Sequence, residues 1–492
     1  MGVLLAHSFF LKNDPKQSEK MRPYPPLGTL YAASFLREKG YKIALFDAML
    51  AGGIHEFEAA LEAAGPRFLI VYEDQFNFLN KMCLLHSRAA ACHMARLGRE
   101  RGCTVIAAGS DVSDHPEIYL RHGADFGIVG ESEHALSELL DALSSLHSAP
   151  LDSIAGLAVP DDTCPGGVRR NMARNPERRP DVFPFPAWDL LDTERYRQAW
   201  LHAHGYFSVN MVSTRGCPFH CNWCAKPIWG QRYAMRSPAN VAEEMALIKA
   251  TIRPDHIWFA DDIFGLQPKW VVEFAAEVKA RNASVPFMIQ SRADLLTDKA
   301  VQALAQAGCT EVWMGAESGS QKILDAMDKG IRVEQVIGAR ERLRAAGIQA
   351  AYFVQFGYPG ETFDDILATA ALIRETQPDE IGVSVSNPLP GTKFYRMVGA
   401  QLGEKDHWQD SNDLAMMFEG TYTTPFYRML YQLVHRELEL MSRSAPKEDL
   451  EEVGRQWIEL GQVESSYRSS SPTFVQKYYP SVSAPDLSRR WN

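Results

Sequence analysis

Short apolar runs alternate with amphipathic stretches along most of this chain of 492 residues, and that alternation constrains the fold more than any other feature. Strands separated by helices pair in parallel, because a crossover has the length a parallel connection needs, and the helices then cover the faces of the sheet. Strands are predicted at 3–7, 42–47, 68–72, 104–108 and 125–129, with helices at 26–39, 56–64, 79–101, 116–122 and 133–146. Five strands with crossing helices make a Rossmann-like α/β domain over residues 1–147, whose ligands belong off the carboxyl ends of the strands.

The alternation lapses over residues 148–200, where Pro165-Gly166-Gly167 and Pro184-Phe185-Pro186 read as a linker or lid. It resumes with strands at 208–213, 256–260, 286–290, 311–315, 350–356 and 380–386, separated by helices such as 241–251 and 364–376. Six such units over 201–404 form a partial (β/α)6 barrel, with polar or Gly-rich residues at each strand end, where barrel enzymes place their sites. Residues 405–492 carry an amphipathic stretch at 426–441 and a Ser-, Pro- and Tyr-rich end, predicted as a small helical cap with a loosely ordered tail.

Charge and hydropathy narrow the partners. With 51 basic against 61 acidic residues the net charge is -10, which argues against a nucleic-acid surface and for a small-molecule substrate. No apolar run approaches the ~18 residues of a membrane span. The N-terminus lacks the charged start and apolar core of a signal peptide, so a cytoplasmic location is expected.

The chemistry concentrates in Arg215-Gly216-Cys217-Pro218-Phe219-His220-Cys221-Asn222-Trp223-Cys224, a C-x3-C-x2-C loop. A 4Fe-4S cluster normally takes four Cys ligands, so three thiolates leave one iron to hold something other than protein. Structural zinc wants four ligands, and only His220 lies inside the loop. A disulfide framework has no support either. Cys83 and Cys92 fall in a helical stretch, Cys103 and Cys309 each follow a glycine before a strand, and Cys164 is in a loop, so all five read as small hydrophobes.

At the end of the first barrel strand, this loop resembles the cluster loop of the radical S-adenosylmethionine (SAM) enzymes, with Cys217, Cys221 and Cys224 as ligands and Trp223 in the aromatic slot near the SAM adenine. Later strand ends follow the same family in order: Asp261-Asp262, where the family binds the SAM amino group, then Ser291-Arg292, then Gly315-Ala316-Glu317-Ser318-Gly319. Gly357-Tyr358-Pro359-Gly360-Glu361 and Pro388-Leu389-Pro390-Gly391-Thr392 complete the set. The resemblance implies that Glu317 and Asp262 meet the SAM amino group and ribose hydroxyls, that Arg292 meets its carboxylate, and that Gly357 and Gly360 allow close approach.

The first domain resembles the cobalamin-binding domains of one radical SAM subfamily, which includes C-methyltransferases, P-methyltransferases and the anaerobic magnesium-protoporphyrin monomethyl ester cyclase. The matching pieces are Gly28 in Pro25-Pro26-Leu27-Gly28, Gly109-Ser110-Asp111 with His115-Pro116-Glu117, and Gly130-Glu131-Ser132-Glu133. Glu73 and Asp74, in the polar run Glu73-Asp74-Gln75-Phe76-Asn77, are implied to face cobalt or substrate. Two departures stand out. The loop His7-Ser8-Phe9-Phe10-Leu11-Lys12 lacks the D-x-H-x-x-G pattern whose His ligates cobalt, and Ala108-Gly109-Ser110-Asp111 replaces Gly-Gly-Pro-His.

These resemblances imply an enzyme that cleaves SAM reductively at a 4Fe-4S cluster, fed by an external electron donor such as flavodoxin or ferredoxin, and that uses cobalamin to methylate an unactivated carbon. Oxidative cyclisation or hydroxylation of the porphyrin-cyclase type is the alternative outcome, and a non-catalytic cobalamin or iron-sulfur sensor the alternative class. A tRNA methylthiotransferase would need a further three-cysteine set near the N-terminus, which the scattered Cys83, Cys92 and Cys103 do not supply. Substrate identity is not legible. Tyr24, Trp188, Trp200, Tyr206 and Trp229 are the aromatic candidates for a cavity, although aromatics more often belong to a core.

Overall fold

A computed structural model describes residues 2–77, 84–144, 150–226, 228–402, 407–409, 414–443 and 445–469. The first sheet contains β1 (Gly2–Ala6), β2 (Lys42–Phe46), β3 (Phe68–Tyr72), β4 (Thr104–Ala108), β5 (Phe126–Ile128), β6 (Leu157–Pro160) and β7 (Val168–Arg170), in spatial order β2-β1-β3-β4-β5-β6-β7. The first five strands run parallel, and β3 at the centre is buried along its whole length, as a strand covered on both faces must be. The order reverses between β1 and β3, so the ligand crevice of such a sheet opens beside their carboxyl ends.

One expectation is corrected here. Part of the segment 148–200 belongs to the first sheet, since β6 and β7 extend it antiparallel beyond β5. Strands of four and three residues are too short to show an alternating pattern, which is why the segment reads as a linker. The same segment continues into a helix at Thr193–His204, capped by the Asp192 side chain on the Arg195 amide. The helix predicted from 79 is described from Leu85 to Glu100; residues 78–83, with Cys83, lie outside the described residues.

The second sheet follows as β8 (Ser208–Met211), β11 (His256–Phe259), β12 (Phe287–Ser291), β13 (Cys309–Glu317), β14 (Gln349–Phe356) and β15 (Glu380–Val385), all parallel in the order β15-β14-β13-β12-β11-β8. Between β8 and β11 a short antiparallel ladder, β9 (Thr214–Arg215) with β10 (Ala234–Met235), closes the base of the cysteine loop. Alternation assigns the faces. Phe259 packs edge-on against Phe274 of the covering helix Pro268–Ala280, whereas Trp313 and Phe353 meet on the other face with ring centroids 4.8 Å apart.

Helices Thr424–Ser442 and Lys447–Val463 pack on each other, and the first also rests on β15 and the helix Phe363–Thr376. The tail expected to be loosely ordered falls, from residue 470, outside the described residues. One apolar cluster joins the two domains, with Phe9, Tyr24, Tyr31 and Phe76 of the first beside Trp200, Trp229 and the barrel residues, while the strands of the first sheet pack into two clusters of their own. Among the described residues no helix is long and apolar enough to cross a membrane.

Candidate functional site

The cysteine loop leaves the sheet through β9 and returns through β10, and its first turn depends on Gly216. That residue has φ +78°, and a Cβ there would meet the Arg232 carbonyl oxygen at 2.4 Å. Asn222, between the second and third cysteines, fixes the far side. Its amide group donates to the Ala326 carbonyl at 2.7 Å, its backbone N–H donates to the Met327 carbonyl at 3.0 Å, and its side-chain oxygen accepts from the Tyr358 hydroxyl at 3.0 Å. The loop is therefore gripped by the helix after β13 and by the turn after β14.

Cys217, Cys221 and Cys224 are partly buried free thiols. Burial raises the Cys217 thiol and pushes Cys224 up to about 12, with the Asp262 carboxylate and the neighbouring sulfurs adding and Lys226 opposing. Loading a metal centre would displace those protons, since the thiolate is the ligand. Three cations offset the charge that results. Lys226 donates to the Phe219 carbonyl within the loop, and Arg292 places Nη1 3.9 Å from the Cys221 sulfur and its guanidinium 3.7 Å from the Phe219 ring centre. Lys329 is held in its ammonium form chiefly by Glu317 and next by Cys221, against the cost of burial. Three thiolates with no fourth cysteine in the loop, and cations at hand for an anionic centre, are a donor set that fits an iron-sulfur cluster.

The other strand-end residues gather round this loop with more varied duties than expected. Asp261 is 1% exposed, and its carboxylate accepts from the Ser213 and Thr214 amides at 2.8 and 2.7 Å and from their hydroxyls at 2.7 and 2.8 Å. Its side chain thus fixes the chain entering the loop rather than facing outward. Asp262 is exposed and electrostatically felt by both Cys217 and Cys224. Glu317, with φ +58° at a bulge, is buried and paired with Lys329 at 2.6 Å; Gly315 leaves the space that pair fills. Arg292 is pinned by Asp294 at 3.0 Å and by the Lys329 carbonyl at 2.9 Å. Ser291 bonds the Phe264 carbonyl at 3.4 Å, Ser318 meets Thr369 at 3.1 Å, and the Gly357 amide donates to Glu361 at 2.7 Å. Gly360, at φ +84°, accepts from Lys322 at 3.1 Å. Trp223 packs against the cluster that contains Tyr358 and Phe394, and its indole N–H is buried without a protein partner.

In the first domain the expected residues meet at the carboxyl ends of β3, β4 and β5. The Gly28 amide donates to Asp74 at 2.9 Å, and Asp74 also accepts from the Phe76 amide at 3.2 Å, so it caps local backbone. Glu73 accepts from the Ser8 amide at 3.0 Å, and burial lifts its carboxyl to about 7. A side chain at Gly109, φ +145°, would strike the Glu73 Cβ at 2.7 Å. Ser110 Oγ is buried with no protein partner, the orphaned polar atom that a bound corrinoid side chain would satisfy, so the crevice fits such a group. The Gly130 amide donates to Ser113 at 3.0 Å, while Glu131 is drawn toward the barrel and pairs with Arg215 at 2.7 Å.

Lys226, Lys329, Asn222 and Tyr358 escape a reading of the sequence, since each is an ordinary residue until the loop folds over it. Of the aromatic candidates, Tyr24 lies edge-on to Trp258 with centroids 6.0 Å apart, and Trp229 stacks on Phe76 at 5.2 Å. Trp188 and Trp200 are core residues, and Tyr206 sits at the surface.

Comparison with known proteins agrees with this geometry. Residues 211–373 match the model of the radical SAM superfamily. An uncharacterized methyltransferase of Pyrococcus horikoshii is 28% identical over 377 residues, covering 75% of this chain and 78% of that protein. The radical SAM methyltransferase TsrM of Kitasatospora setae, solved with cobalamin and a [4Fe-4S] cluster, superposes with a TM-score of 0.67 at 18% identity, over 82% of this chain and 79% of that one. The cobalamin-dependent SAM radical enzyme OxsB, solved with aqua-cobalamin, gives 0.70 at 17% identity, over 96% and 82%. Residues 211–373 thus form a radical SAM domain, and the chain as a whole shares the fold of TsrM and OxsB.

Proposed function

We propose that this protein is a cobalamin-dependent radical SAM methyltransferase that acts on an unactivated carbon of a small molecule. The observation that carries the reading is the three-cysteine loop, ringed by Lys226, Arg292 and Lys329, pinned through Asn222, and joined by the Arg215–Glu131 pair to the strand ends of a Rossmann-like sheet whose order reverses at β1/β3. Cys217, Cys221 and Cys224 would hold a 4Fe-4S cluster, with Asp262, Ser291, Arg292, Glu317, Ser318, Gly357 and Gly360 around SAM. Gly28, Glu73, Asp74, Gly109, Ser110 and Gly130 would lie along cobalamin. When bound, the cluster supplies the electron that cleaves SAM, and cobalamin supplies the methyl group.

The protein's own contribution is positional and electrostatic. The cations lower the energy of an anionic centre in a partly desolvated loop, and the Asn222 and Tyr358 bonds keep the three sulfurs in one arrangement. The aromatic core shared by the two domains excludes water from the space between them, which protects a radical from quenching.

Anaerobic incubation of reconstituted protein with dithionite and SAM should yield 5′-deoxyadenosine, and candidate substrates should gain label from methyl-labelled SAM. A chain that makes no 5′-deoxyadenosine is not a radical enzyme. One that makes it with substrate, yet yields a product containing water-derived oxygen and no label, is a cyclase or hydroxylase instead.

A further inference from the structure

One carboxylate of the first domain holds both flanks of the cysteine loop. Arg215, two residues before Cys217, donates through Nη1 to Glu131 Oε1 at 2.7 Å and through Nη2 to Glu133 at 2.8 Å. Trp229, five residues after Cys224, donates its indole N–H to the same Glu131 oxygen at 3.2 Å. The second Glu131 oxygen accepts from the Glu177 amide at 2.6 Å, so the carboxylate itself cannot swing away. Arg215, Glu131 and Glu133 are 4%, 2% and 1% exposed, and the guanidinium lies 4.0 Å from the Phe183 ring centre. In such a setting an ion pair is little screened by water, and removing one partner leaves a charge stranded. The flanks also touch each other, since the space beside Gly216 is filled by the Trp229 Cβ at 3.0 Å.

We propose that Glu131 is a positioning residue for the iron-sulfur centre: acting through Arg215 and Trp229, it draws the two ends of the loop together from the neighbouring domain. The proposal rests on the cluster reading given above, and it gives Glu131 a duty other than contact with cobalamin.

The test compares wild type, Glu131→Ala, Glu131→Gln and Tyr196→Phe after anaerobic reconstitution with iron and sulfide. Tyr196→Phe removes a different buried bond between the segments, from the Tyr196 hydroxyl to Asp47 at 2.7 Å, away from the loop. The readouts are the electron paramagnetic resonance spectrum of the reduced cluster and the rate of iron loss to bipyridyl. Glu131→Ala should lose iron roughly tenfold faster, the penalty usual for removing a group that orients metal ligands, with a broadened spectrum. Glu131→Gln, which keeps the shape and folds where Ala does not, should fall between. Tyr196→Phe should melt earlier yet keep the wild-type spectrum and rate. The proposal is overturned if both Glu131 variants match wild type, or if Tyr196→Phe reproduces their effect. A wild-type chain with no cluster signal overturns the cluster reading and this one with it, whereas a normal wild-type signal untouched by the Glu131 variants overturns this one alone.

Discussion

Replacing Asp261 separates a residue that touches SAM from one that builds the loop. The wild-type carboxylate satisfies two backbone amides and two hydroxyls, all within 2.8 Å, inside a buried turn. Asp261→Ala strands both amides, and an orphaned buried N–H costs about 1–3 kcal/mol, so the total loss should be about 3–5 kcal/mol. Asp261→Asn can keep its oxygen where Oδ1 accepts three of the four bonds, while Ser213 Oγ rotates to accept from the amide. Charge assistance is lost, but so is the cost of burying a charge, and that cost lifts the Asp261 carboxyl to about 6 from 3.8. Asn should therefore lie within about 1 kcal/mol of wild type at pH 7.

The sign of the pH dependence follows. Between pH 3.8 and about 6 the folded wild type keeps a proton that the unfolded chain has released, so its stability falls as pH rises through that window. Over about two units the loss is roughly 3 kcal/mol, and Asn lacks it. Urea unfolding of the three cluster-free chains, followed by circular dichroism from pH 4 to 8, measures both effects. Iron content and SAM affinity of the reconstituted chains then assign the role: Ala should load little iron, while loaded Asn binds SAM as wild type does. An Asn variant that loads a full cluster yet binds SAM tenfold more weakly would refute the loop-building role and restore Asp261 as a ligand contact.

Gly216→Ala forces a side chain into a left-handed residue against a carbonyl oxygen 2.4 Å away, and the shift required should cost more than about 3 kcal/mol locally. Iron bound per chain after reconstitution should fall severalfold with the far-ultraviolet dichroism unchanged. Glu361, fully buried and accepting from the Gly357 amide, has its carboxyl pushed by burial from 4.5 to about 8. Wild-type stability should therefore decline from pH 4.5 to 8, by up to about 1.4 kcal/mol per unit, and level off above. Glu361→Gln removes this slope, so its melting temperature should exceed that of wild type at pH 8 by several degrees more than at pH 5.

The parts of this molecule legible in the sequence are those encoded over short spans. A buried parallel strand such as β3 announces itself by five consecutive apolar residues, and Gly216, Gly315 and Gly357 mark places where backbone or a neighbour comes close. Strands β6 and β7 stay hidden because three or four residues cannot display a period. Pairings at long range leave no trace of another kind. Arg215 and Glu131 are 84 residues apart, and each alone looks like a charge at a strand end.

Acids at the ends of barrel strands show most plainly where the reading of residues stops. Asp261 and Asp262 are adjacent and identical, and a ligand-binding role fits both equally from sequence. In the fold, the turn after β11 parts them: the first is consumed by four internal donors, while the second is exposed and acts electrostatically on Cys217 and Cys224. Glu317 divides from them in a third way, because Lys329, twelve residues on, already neutralises it. The residue type states only that a negative charge is needed near the loop. Whether that charge holds the loop, balances a cation or meets a ligand depends on which donors the backbone brings within about 3 Å, and those donors come from other strands.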